Sequence, residues 1–179
     1  MQHRHLLIAA LTLAGCRGSG DSHTAPAALA IPAALSAAPH HGAYRQPHGS
    51  PPVADLHGAR RATARYHDIR NAVADGYVDI NVVIPNMGRH FLKGSLLDSK
   101  FEVDRPELLV YSPHANDRME LVAVEYAVPL DLSAAAPEGF RGAADEWFAD
   151  QRFGLWTLHA WVWEDNPDGV FSPTDKLVP

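Results

Sequence analysis

Residues 119–128, Met-Glu-Leu-Val-Ala-Val-Glu-Tyr-Ala-Val, form the stretch that most narrows the possible folds of this chain. The run is mostly β-branched, aromatic or small and apolar, with no Gly or Pro, and predicts a strand. Alternation puts Leu121, Ala123, Glu125 and Ala127 on one face and Val122, Val124 and Tyr126 on the other. Leu108-Leu109-Val110-Tyr111 precedes it, ended by Ser112-Pro113 and a polar turn at 114–117. That spacing predicts a β-hairpin over 108–112 and 118–128. Further strands are expected from Tyr77 to Ile84, which stops at Pro85, and over 157–164, where His159, Trp161 and Trp163 share one face. Between them, 86–91 reads as irregular, and Asn166-Pro167-Asp168-Gly169 as a tight turn. Upstream, Ala59, Ala62, Tyr66, Ile69 and Val73 recur at spacings of three and four. They predict one amphipathic helix over 56–75, with Asp55 as its N-cap and Gly76 as its left-handed terminator. A short helix is expected over 143–150. The fold class is α+β: an antiparallel sheet of about four strands with one long amphipathic helix packed on it.

Composition bounds the partners. The 179 residues are 46% hydrophobic and include four Trp, enough for one core of ordinary size with extensions. A formal charge of −6 gives no bulk basic footprint for nucleic acid. Arg60, Arg61, Arg65 and Arg70 decorate the predicted helix. They read either as a patch for anionic lipid or as a solvated face with Arg65 and Asp68 paired across one turn. The single Cys excludes an internal disulfide framework and a Cys-based zinc site.

That Cys marks an address. Arg4 opens the chain, residues 6–13 are mostly apolar, and Leu13-Ala14-Gly15-Cys16 follows. The apolar run is about half the roughly 20 residues a spanning helix needs, and reads as an export signal. Leu-Ala-Gly-Cys resembles the lipobox of bacterial lipoproteins. The resemblance implies a signal peptide over 1–15, an acylated Cys16 and anchorage to the membrane through its acyl chains. Cleavage would remove Arg4, leaving 14 basic against 21 acidic residues and a charge of −7. Arg17, where an Asp would redirect sorting, favours the outer membrane of a cell that has one. Residues 16–53, rich in Ala, Pro, Gly, Ser and His, read as a disordered tether. His23, His40, His41 and His48 within it read as solvated rather than as metal ligands. Residues 54–179 form the single globular domain.

Three residues of the domain stand out chemically. His90 follows a Gly, Glu125 sits mid-strand among apolar neighbours, and His159 sits mid-strand beside two Trp. A carboxylate in a buried strand costs several kcal/mol unless it is paired, hydrogen-bonded or bound to a cation. Two imidazoles are the available partners, and two His with one carboxylate is a common metal-ligand set. The spacings are 35 and 34 residues, so the three would meet only in the fold. The alternative is a hydrogen-bonded core cluster. Zinc is the first metal the set suggests, and Met87, three residues before His90, would suit copper. Trp161 and Trp163, with Phe91 and Met87, are candidates to line a ligand pocket, against a packed sheet face. No nucleophile elbow, phosphate loop or calcium-loop spacing is present in the sequence.

Met87-Gly88-Arg89-His90-Phe91, Val124-Glu125-Tyr126 and Leu158-His159-Ala160-Trp161-Val162-Trp163, continued by Asn166-Pro167-Asp168-Gly169, resemble a family of exported bacterial proteins of unknown activity. Its motifs read Gly-Met-Gly-x-His-Tyr, Val-Glu-Tyr and Leu-His-x-Trp-x-Trp-x-x-Asn-Pro-x-Gly. Asn86 and Phe91 depart from them. The resemblance implies a shared site at His90, Glu125 and His159 without assigning a reaction. Three functions follow as expectations: a lipid-anchored module binding a small ligand or divalent metal there, a metal-dependent hydrolase or oxygenase, or a structural envelope lipoprotein.

Overall fold

The computed structural model describes residues 53–114, 118–141 and 145–179. The expected signal peptide, Cys16 and the tether up to residue 52 lie outside the described residues. The class is α+β, built on an antiparallel sheet of six strands rather than about four. These are β1 (Val78–Ile84), β2 (Gly88–Leu92), β3 (Leu108–His114), β4 (Arg118–Pro129), β5 (Phe148–Asp150) and β6 (Leu155–Ala160). Their order across the sheet is β1-β2-β3-β4-β6-β5. The two extra strands, β2 and β5, come from segments whose strand character the sequence hides. His90 lies in regular strand β2, not in an irregular segment, because the turn at 85–87 folds β2 straight back onto β1. The helix expected over 143–150 gives way to β5, which pairs with β6 through Ala149 and Trp156; residues 142–144 lie outside the described residues.

The expected single helix is broken. α1 (Val53–Thr63) runs into a 3-10 turn over Ala64–His67, and α2 (Ile69–Ala74) follows. Asp68 is the break: its backbone is extended, at φ −89 and ψ 104, and its side chain accepts from Arg70 N to cap α2. An extended residue resets the helical phase, so Ala72 is buried while Val73 is exposed. Gly76, at φ +94, terminates α2 as expected. Asp55 is no cap. Its carboxylate binds Arg141, whose Nη2 lies 2.7 Å away. Arg65 pairs with Asp75 rather than Asp68, and Asp68 with Arg70.

The β3–β4 hairpin forms, with one irregularity that reassigns the faces. Val110 pairs with Ala123 and Tyr111 with Leu121, leaving Val122 as an extra residue. This β-bulge reverses the alternation there. Leu121 joins Val124 and Tyr126 in the core beneath the helices, whereas Val122 and Ala123 both face the other side. The helix-side core also holds Tyr66, Phe91, Tyr111 and Leu158. The opposite side is covered by the C-terminal tail. Val178 packs with Val110, Val122, Ala123 and Trp161, and Trp161 Nε1 donates to Ser172 O at 2.6 Å. β6 ends at Ala160, short of the expected residue 164, because the Trp161 N–H bonds Val170 O in that tail and the Trp163 N–H turns to Val122 O.

Candidate metal centre

Register brings the three chemical residues onto the face away from the helices. Glu125 of β4 pairs directly with His159 of β6. His90 of β2 pairs with Val110, which pairs in turn with Ala123, two residues from Glu125 on the same face. Glu125 therefore lies between the two imidazoles. Its Oε2 is 3.6 Å from His90 Nε2 and its Oε1 is 3.6 Å from His159 Nδ1. One donor atom from each residue falls within a common 4.8 Å. All three side chains are buried, at 3–6% exposure, so solvent does not satisfy them.

Both 3.6 Å approaches are longer than hydrogen bonds, and the ionisation of the groups explains why they are not ion pairs. Burial pushes the Glu125 carboxyl up to about 8; the Asp150 charge adds to the shift, a Thr157 hydroxyl bond opposes it, and Glu107 adds a little more. Burial pushes the His90 imidazole down to about 4, against hydrogen bonds to the Val82 and Gly88 backbone. Burial and the neighbouring His90 push His159 down to about 3. At neutral pH the cluster holds a protonated carboxyl and two neutral imidazoles. His159 Nε2, the ring nitrogen other than the one that faces Glu125, is buried with no hydrogen-bond partner among the described residues, although buried polar atoms are normally paired.

The chemistry suits a divalent transition metal. Two neutral imidazoles and a carboxyl that surrenders one proton supply two nitrogens and an oxygen. Bonds of 2.0–2.2 Å in a tetrahedron put donors roughly 3.3–3.6 Å apart. The two 3.6 Å separations run to different oxygens of Glu125, and one donor atom from each residue lies within 4.8 Å, so the side chains would draw closer around a single ion.

The other pocket candidates scatter. Trp161 does border the cluster, its ring near-parallel to His159 with centroids 6.2 Å apart. Trp163 turns to the helix side, where it meets His67 edge-on and donates from Nε1 to Thr63 Oγ1 at 3.1 Å. Phe91 also faces the helices, against Tyr111. Met87 lies in the β1–β2 turn, half-buried, ahead of the strand that carries His90. Two crevices, of about 570 and 230 Å³, flank Trp161; neither is lined by His90, Glu125 or His159.

Sequence reasoning missed one residue of the same chemical kind. Glu107, just before β3, is 3% exposed, and its Oε2 accepts from the Ala127 N–H at 2.9 Å. Burial raises its carboxyl to about 8 as well, opposed by that backbone bond. No protein family, curated protein or solved structure matches the chain.

Proposed function

We propose that this domain is a binding module that holds one divalent transition metal, zinc first, between His90, Glu125 and His159. The observation that carries the reading is a buried carboxyl that faces two buried imidazoles at 3.6 Å, toward His90 Nε2 and His159 Nδ1, without bonding either. A cation would take up imidazole lone pairs, displace the proton of Glu125 and neutralise its charge, the conditions under which a buried carboxylate is tolerated. Binding is favoured over hydrolase or oxygenase chemistry because all three ligands are buried, at 3–6% exposure. Catalytic sites of this type keep a position open to substrate.

The module would be carried outside the cytoplasm on acyl chains at Cys16, spaced from the lipid by the Ala- and Pro-rich segment that follows. Leu13-Ala14-Gly15-Cys16 supports this. No helix among the described residues is long and apolar enough to cross a membrane.

Elemental analysis of the full chain, extracted in detergent without chelators and then titrated with Zn²⁺, tests the centre. One equivalent per chain in the wild type and none in Glu125→Gln is expected. Equal uptake by both proteins would refute it. Mass spectrometry of the N-terminal peptide tests the anchor: a diacylglyceryl thioether on Cys16 is expected, and an unmodified leader would refute it.

A further inference from the structure

β1 does not run evenly against β2. Asp79 pairs with Phe91 and Val83 with Arg89, so residues 80–82 together stand opposite the single residue His90. Two extra residues bulge out of the edge strand at the position that faces a proposed metal ligand. Bulges commonly re-aim a group beside a functional site. Here the re-aimed group is the Val82 carbonyl, 3.2 Å from His90 Nδ1. The Gly88 carbonyl is the second backbone partner of the same ring. A carbonyl only accepts, so Nδ1 must carry the proton, and the Nε2 lone pair points at Glu125.

The bulge is held from outside. Asn81 sits at its apex with φ 55, a left-handed conformation that Asn tolerates and a β-branched residue does not. Its N–H donates to Asp79 Oδ1 at 2.8 Å. Arg89 closes the ring: Nε donates to Asp79 Oδ2 at 2.8 Å, Nη2 reaches the same oxygen at 2.6 Å, and Nη2 reaches Asn81 Oδ1 at 3.2 Å. Arg89 adjoins His90 in the chain but projects from the opposite face of β2, so it brings no charge to the cluster. Gly88 is required as it stands, since a Cβ there would lie 2.7 Å from Tyr111 O.

We propose that Arg89, Asp79 and Asn81 are positioning residues that set the tautomer of His90. By clamping the β1 bulge they hold the Val82 carbonyl on Nδ1, so the ring offers Nε2 to the cation. The purpose rests on the metal reading; the tautomer does not, because it exists in the metal-free protein. Outer groups that orient a ligating His typically change metal affinity 10–100-fold.

Two-bond ¹H–¹⁵N correlation spectra of the chelator-treated full chain, near pH 7, test it. Wild-type His90 should read as the Nδ1–H form. Asn81→Val, which cannot hold φ 55, and Arg89→Gln should both shift it to mainly Nε2–H. Asn81→Gly, which keeps that conformation available, should leave it as Nδ1–H. Asn81 is exposed on an edge strand, so its variants should fold even if Arg89→Gln does not. Zn²⁺ affinity should fall 10–100-fold in Asn81→Val and stay within about threefold in Asn81→Gly. Nε2–H in the wild type, or Nδ1–H retained in Asn81→Val, would overturn the proposal. Nδ1–H in the wild type, lost in Asn81→Val, with no zinc bound by either, would sink the metal centre alone and leave the clamp standing.

Discussion

Glu107 and Glu125 form a natural pair for comparison. Both are buried, at 3% and 6% exposure, and burial raises both carboxyls to about 8. They are close in the sheet, since Glu125 pairs with Leu108, the residue after Glu107. Their surroundings differ. Glu107 gives an oxygen to the Ala127 N–H and stands within electrostatic reach of Tyr77 and Tyr126 in the helix-side core. It acts as a piece of backbone, supplying an acceptor to β4 where β3 begins. Glu125 takes a bond from the Thr157 hydroxyl and is approached by two imidazoles, neither within hydrogen-bond distance. Equal burial and equal pKa therefore do not make two equal sites. What separates a structural carboxyl from a candidate ligand is what it faces, a backbone N–H for Glu107 and two imidazoles for Glu125.

The largest effect expected from this pair is on stability against pH. A carboxyl raised in the folded state contributes stability that is whole below its unfolded value of 4.5 and is lost as pH rises through about 8. The two imidazoles behave oppositely: their contribution is whole above 6.5 and is lost as pH falls through about 4 for His90 and about 3 for His159. Between 4.5 and 6.5 the unfolded chain holds two protons on its imidazoles and the folded chain two on its carboxyls, so these four groups give no slope. Metal-free protein should thus show a plateau over pH 4.5–6.5 and lose several kcal/mol by pH 8, read as the midpoint of urea unfolding. Glu107→Gln and Glu125→Gln should each remove about half of that loss. Zinc should remove only the part due to Glu125, because the cation takes the place of its proton. A zinc effect that persists undiminished in Glu125→Gln would break the distinction between the two carboxyls.

Truncation sharpens the same contrast at the next size down. Glu107→Leu strands the buried Ala127 N–H and should cost about 1–3 kcal/mol, with zinc affinity unchanged. Glu125→Gln keeps the shape of the protonated acid, so metal-free stability near pH 5.5 should hardly move, while zinc affinity falls more than 100-fold, beyond the usual range of an outer-group change. Urea unfolding and zinc titration of both variants decide it. A large stability loss in Glu125→Gln near pH 5.5 would make Glu125 a structural group like its neighbour.

The site was more legible in the sequence than the sheet around it, for a physical reason. Glu125 and His159 stand out because each interrupts an apolar strand, and the cost of burying a polar group is local information. Glu107 opens the Leu108–Tyr111 run just after Arg105-Pro106, where a carboxylate interrupts no apolar pattern, although it is as deeply buried. The β4 bulge at Val122 and the β1 bulge over 80–82 leave no mark on alternation until a partner strand is present. Asn81, a left-handed-tolerant residue inside a strand pattern, was the one visible hint. Chain proximity to His90 suggests Phe91 beside the cluster, and a β6 extended past Ala160 suggests Trp163 there. Strand parity sends the first to the helix side, and the departure of the chain toward Val122 sends the second there. The helix was located in sequence, but its phase was lost at Asp68, whose capping role competes with helix continuation.

The smallest effect expected concerns Thr157, whose hydroxyl bond opposes the upward shift of Glu125. Thr157 lies two residues before His159 on the same face of β6 and pairs with Ala127. Its hydroxyl stabilises the charged form of Glu125 in the absence of metal. Thr157→Val preserves shape and β-branching but removes that donor. The proton on Glu125 then becomes harder to displace, so zinc affinity near neutral pH should fall by less than about tenfold, below the outer-group range. Raising the pH to 9, above the range where the carboxyl holds its proton, should recover most of the loss. Glu107, whose carboxyl accepts from the Ala127 N–H, should titrate as in the wild type by carboxyl-carbon NMR. If Thr157→Val shifted both carboxyls equally, the two sides of the sheet would share one electrostatic environment, and the separation between a structural carboxyl and a ligand would lose its basis.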